Sequence, residues 1–134
     1  MRYKGNRSRL TVIEVKDENN TDETFIYAIK QAIAYAVFIR ELARSESGRD
    51  WMKLWGMENQ PWEKGFTINA VAAMPKRGEE DDFSFAGTKL KLEGGGATDY
   101  IELHYIAFRG SDKPRDGQDF DFDTSLKEDT PCQT

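Results

Sequence analysis

The sequence predicts one α/β domain built on a mixed sheet, and three stretches predict it. LTVIEVK (residues 10–16) alternates as a strand does, and FIYAIKQAIAYAVFIREL (25–42) repeats apolar residues at helical spacing. FTINAVAAM (66–74) is an apolar run of strand length. A strand, a helix and a strand in that order give a parallel pair joined by a right-handed crossover. A chain of 134 residues suits one domain and can bury a core.

Residues 1–16 read as a hairpin. Residues 1–4 form a short strand, Gly5-Asn6-Arg7-Ser8 the turn, and 9–16 a buried central strand. A chain beginning inside a hairpin reads as a piece cut from something longer. On the second strand Leu10, Val12, Glu14 and Lys16 share one face, while Thr11, Ile13 and Val15 take the other. An acid and a lysine therefore leave one side of an apolar strand near its C-terminal end.

Asn20 and Glu23 have capping-box spacing, and Asp22 and Glu23 suit the positive end of a helix dipole, so a helix is expected from there to about residue 45. Phe25, Ile29, Ile33, Ala36 and Val37 form its apolar stripe, with Ile26 and Ala32 beside them. Ala28, Ala32, Ala34 and Ala36 are small enough to let a sheet approach. Arg40 and Arg44 suit the negative pole. Tyr27, Gln31 and Tyr35 make a second stripe at i, i+4, i+8, which is either the margin of a core helix or the wall of a site.

A short helix at 49–54 follows the Ser47-Gly48 break and ends at Gly56. Trp51, Leu54 and Trp55 share a face with Met52 and Met57 nearby, which reads as core closure rather than base stacking. Pro75 ends the 66–74 strand, and KRGEEDD (76–82) is a solvated charged loop. Strands at 83–92 and 100–109 form a hairpin around Glu93-Gly94-Gly95-Gly96. His104, the sole histidine, shares a face with Glu102, and an interstrand or core-edge role is expected for it, since no serine or cysteine nucleophile is near in sequence. After residue 110 the chain turns acidic and reads as a mobile or loosely docked tail, where Phe120 and Phe122 could pin it or add an edge strand.

Glu14-x-Lys16 at a strand end, followed by a polar loop and a helix with Gln31-x-x-x-Tyr35, resembles the second half of the PD-(D/E)XK nuclease motif. The resemblance covers about a quarter of the chain. It implies a three-layer restriction endonuclease-like fold, a mixed central sheet flanked by helices, over residues 1–110 and without its first helix and strand. It also implies phosphodiester hydrolysis with Mg2+ or Mn2+. Glu14 and the carbonyl of Val15 would hold the metal, Lys16 would orient the attacking water, and Gln31 and Tyr35 would buttress the site. Lys4, Arg7 and Arg9 would meet the phosphates of a nucleic acid, DNA rather than RNA. The family also places a metal-binding Asp on the preceding strand, yet residues 1–13 hold neither Asp nor Glu. That acid must come from upstream, or from Asp17, Glu18 or Asp22. Two other readings stand beside the nuclease: a non-catalytic relative in which Glu14 and Lys16 are an ion pair within a binding module, and an unrelated α+β domain.

Composition narrows the partners. Net charge is −5, against a chain coated for nucleic acid, but residues 1–10 carry Arg2, Lys4, Arg7 and Arg9 without an acid. Mean hydropathy is −0.73, and three Trp, five Tyr and eight Phe argue for a packed globule. No apolar stretch spans a bilayer and no signal core precedes the fold, which makes the cytoplasm the default location. Cys132, alone, forms neither an internal disulfide nor a zinc site. The N-terminal strand offers an edge on which a second copy could dock as a homodimer.

Overall fold

The computed structural model describes residues 9–17, 23–78, 81–110 and 120–126. The elements run β1 (Leu10–Val15), α1 (Phe25–Arg44), α2 (Gly48–Leu54), β2 (Thr67–Pro75), β3 (Lys89–Gly94), β4 (Ala97–Gly110) and β5 (Phe120–Thr124). They form an α/β fold with an open mixed sheet of five strands in the order β1-β2-β4-β3, with β5 also on β4. The β1–β2 and β2–β4 pairs are parallel, with Glu14 opposite Ala72 and Ala72 opposite Tyr105. β3 and β5 both pair antiparallel with β4, β3 along residues 97–102 and β5 along 106–110. The long β4 thus pairs with three strands, β2, β3 and β5.

β2 takes the centre because its sequence has almost no polar side. Ile68, Ala70, Ala72 and Met74 are buried beneath α1, and Val71 and Ala73 are buried on the other face. β1, expected to be buried and central, lies at the end of the order among the described residues. Leu10 and Val12 pack beneath α1, whereas Ile13 and Val15 on the opposite face are 49% and 63% exposed. Its alternating sequence suits a strand covered on one face only.

α1 begins later than the capping box predicts. Thr24 is the N-cap, its Oγ1 accepting the N–H of Tyr27 at 3.1 Å, so Glu23 lies outside the helix. Thr24→Ala is expected to cost about 1 kcal/mol in denaturant unfolding. The alanines bring α1 close to the sheet: Ala28, Ala32 and Ala36 are fully buried, while Ala34 points outward. α2 starts at Gly48, where a Cβ would run into the carbonyl of Ala43. Met52, Met57, Trp62 and Ala43 form a second core cluster with Leu10 and Phe66, so α2 shares the α1 side of the sheet. Trp51 and Trp55 stack at 5.6 Å beside it. Both helices cover one face, and among the described residues no helix covers the other, in contrast to the three layers expected.

The second hairpin is shorter on its first strand than its sequence suggests. Residues 84–87 turn instead of extending, because Phe83 packs against Phe25 at 4.7 Å and stacks on Tyr105 at 3.9 Å. The hairpin closes through Gly95 and Gly96, with φ of 65° and 77°, the pair of positive angles that a tight two-residue turn needs. Phe120 opens an edge strand, the alternative to a loose tail that the sequence left open. The first strand and the turn of the hairpin expected at 1–16, with Lys4, Arg7 and the docking edge, lie outside the described residues, as do Glu18, Asp22 and Cys132. No helix among the described residues is long and apolar enough to cross a membrane.

Candidate functional site

In an open parallel sheet, ligands meet the C-terminal ends of the strands, where loops diverge. In this chain that edge holds Glu14 and Lys16 from β1, and Lys76 and Arg77 just after β2. The alternation of β1 puts Glu14 and Lys16 on one face, as the sequence predicts, and that face, shared with Leu10 and Val12, is the helical side. The Lys16 Nζ lies 3.1 Å from Glu14 Oε1 and 3.1 Å from Glu23 Oε2. One ammonium therefore bridges two carboxylates that are nine residues apart in sequence. Hydrogen bonds to Glu23 and then Glu14 push the Lys16 pKa above its ordinary 10.5, despite partial desolvation. Lys16 is a firmly protonated cation, suited to donating hydrogen bonds rather than to acting as a base.

Glu23 is the residue that sequence reasoning missed. It reads as a capping acid of the helix, but the late N-cap at Thr24 leaves its side chain free to turn towards β1. Arg77 was missed too, as part of a charged loop. Its guanidinium donates to the Glu23 carbonyl at 2.7 Å, which brings a second cation to the start of α1. The backbone N–H groups of Arg77 and Gly78 are fixed by Asp81 Oδ2, at 2.9 and 3.3 Å. The proximity of 76–77 to 14–16 follows from the parallel β1–β2 register, which a sequence reading can use once it places 66–74 beside 10–15.

Along α1, Tyr27 lies under the same ammonium, with its ring centroid 5.9 Å from Lys16 Nζ. Gln31 is one turn further on. Its Oε1 is buried without a hydrogen-bond partner among the described residues, a costly state for an amide oxygen. Tyr35 is 55% exposed and stands at the outer end of the stripe. Of the Tyr27–Gln31–Tyr35 stripe, Tyr27 is the member that meets the ion cluster, and both tyrosines are half-exposed.

Arg9 goes elsewhere. It leaves the opposite face of the sheet, where its Nη1 reaches Glu102 Oε2 at 3.2 Å and Asn69 Oδ1 at 3.4 Å. It does not join Glu14 and Lys16. Among the described residues no group of three or more Asp, Glu, His or Cys gathers as a metal cluster. Glu14 and Glu23 are the acids that the fold brings together at this edge. No family model, curated protein or solved structure matches the chain.

Proposed function

We propose that this chain is a divalent-cation-dependent nuclease domain with a restriction endonuclease-like core, in which Glu23 takes the place of the absent aspartate. The observation that carries this reading is the convergence of Glu14 and Glu23 on one cation position, filled by the Lys16 ammonium at 3.1 Å from each. Mg2+ binds through one or two carboxylates and completes its shell with water and substrate phosphate, and this donor pair fits that habit. When bound there, the metal supplies Lewis-acid polarisation of a phosphodiester and acidifies a water.

The side chains provide the rest. Glu14 and Glu23 hold the cation, with the Val15 carbonyl as the further oxygen that the motif resemblance implies. Lys16, displaced from the carboxylates, keeps its proton and stabilises the attacking hydroxide by hydrogen bonding. Gln31 offers a bare amide oxygen to that water. Lys76 and Arg77 stand on the same edge and suit DNA phosphates, the role first expected of Lys4, Arg7 and Arg9. Net charge of −5 favours a narrow contact over a broad basic surface.

The same geometry also supports a non-catalytic binding module, because the Lys16 ammonium already pairs with both acids. Mn2+ calorimetry separates the two. Saturable binding that disappears in Glu14→Gln is the expected result, together with DNA cleavage that stops when the metal is chelated. Absence of binding in the wild-type chain would overturn the nuclease reading in favour of the ion-pair module.

A further inference from the structure

The opposite face of the sheet holds a second arrangement of reactive side chains. His104 on β4 is 6% exposed, and its two ring nitrogens have different partners. Nε2 lies 2.9 Å from Glu102 Oε1, and Nδ1 lies 3.1 Å from Ser125 Oγ. Burial raises the carboxyl pKa of Glu102, but Arg9 and His104 outweigh it and hold the group below its ordinary 4.5. A carboxylate only accepts, so Nε2 carries a hydrogen towards Glu102, and Nδ1 is the nitrogen that faces the Ser125 hydroxyl. The backbone N–H of Tyr105 donates to Ser125 Oγ at 2.9 Å, so Oγ accepts there and keeps its own hydrogen for another partner. Arg9 Nη1 at 3.2 Å and Lys89 Nζ at 3.6 Å fix Glu102 from behind. Ser125 stands half-exposed at the end of β5, while the His104–Glu102 bond is sheltered beneath it.

We propose that Ser125, His104 and Glu102 form a nucleophile–base–acid relay that accepts the acyl group of a small carboxylic ester. Ser125 Oγ forms a bond to the carbonyl carbon as its proton passes to His104 Nδ1, and the carbonyl π pair moves onto oxygen. Collapse re-forms the carbonyl, breaks the bond to the leaving alkoxide and hands that oxygen the proton from Nδ1. Water then repeats the sequence on the acyl-serine, giving the carboxylic acid and free Ser125. The chemistry needs serine, base and orienting acid in hydrogen-bonded succession, and this face supplies all three. It is independent of the proposed phosphodiester site, which lies on the other face. The N–H groups of Ser125 and Leu126 are engaged by Tyr105 O and Thr124 Oγ1, so they are not spare donors for the oxyanion. Deacylation is accordingly slow, and the acylated serine is the species to measure.

The test is peptide-mapped mass spectrometry of the full chain after exposure to a fluorophosphonate probe, repeated with p-nitrophenyl acetate. Modification of Ser125 at least about 100-fold faster than of any other serine is expected, the scale of general-base assistance. His104→Gln should bring Ser125 down to the rate of the other serines, and Glu102→Gln should slow it while circular dichroism stays native. Wild-type labelling without preference for Ser125 would overturn the proposal, and that measurement does not depend on any variant folding. Unchanged labelling in folded Glu102→Gln and His104→Gln would overturn it equally, leaving Ser125 as a structural hydrogen-bonding group.

Discussion

Asp99→Asn is expected to lower the unfolding free energy by about 3–5 kcal/mol, the largest stability loss of any single polar substitution proposed for this chain. Asp99 is fully buried at the start of β4. Its carboxylate accepts from Arg40 Nε at 2.9 Å, Arg44 Nε at 2.8 Å, Arg44 Nη2 at 2.6 Å and the Phe66 N–H at 2.9 Å. The two arginines reach further: Arg40 Nη2 donates to the Gly94 carbonyl at 2.8 Å, and Arg44 Nη2 to that of Trp62 at 2.8 Å. One acid thus ties the end of α1 to the β3–β4 turn and to the segment before β2. Asparagine fits the space but leaves the buried Arg44 guanidinium without its countercharge and Arg40 with only the exposed Glu41, at 3.1 Å. Urea titration of the wild type and the variant measures the difference.

The same cluster sets an acid limit. Burial pushes the Asp99 pKa upward, but the hydrogen bonds from Arg44, Arg40 and Phe66 more than offset it, and the group lies below its ordinary 3.8. A carboxyl lowered on folding contributes stability that is present above its unfolded value and disappears as pH falls through its folded value. Glu102, also lowered, adds to the same window. Wild-type stability should therefore fall steeply below about pH 4, and Asp99→Asn should show a shallower fall. Equal slopes in the two proteins would remove Asp99 from the account.

Glu23→Gln is expected to reduce metal-supported DNA cleavage by at least about 100-fold, because loss of even an outer partner of a metal ligand costs 10–100-fold. Lys16→Met sharpens the test. Removing the ammonium leaves Glu14 and Glu23 facing each other with no cation between them, so Mn2+ should bind more tightly in calorimetry. Cleavage should nevertheless fall, since the hydroxide loses its hydrogen-bond donor. Tighter binding with lower turnover would separate the two roles of Lys16. Unchanged Mn2+ affinity in Lys16→Met would mean that the cation does not enter between the two acids. The Lys16 pairing itself, with its pKa raised, is fully present below pH 10.5 and is lost only as pH climbs through the folded value.

The sequence by itself determined the local elements that short-range physics controls. The alternation of 10–15 made a strand with Glu14 and Lys16 on one face, and the apolar period of 25–44 made a long helix. The largely apolar run of 67–74 made a strand buried on both faces, and three glycines made the hairpin turn. Tertiary structure decided what meets what. Arg40 and Arg44 read as helix-end cations, yet a buried acid 59 and 55 residues away claims them. Glu23 read as a cap, yet Thr24 took that position and released it to Lys16. Ser125 came to His104 only because β5 pairs with β4 beyond the residues that β3 covers. Ion pairs and hydrogen bonds between distant side chains leave no period in a sequence. They form where strand register and helix packing have already placed the two partners, which is why the elements were legible and the constellations were not.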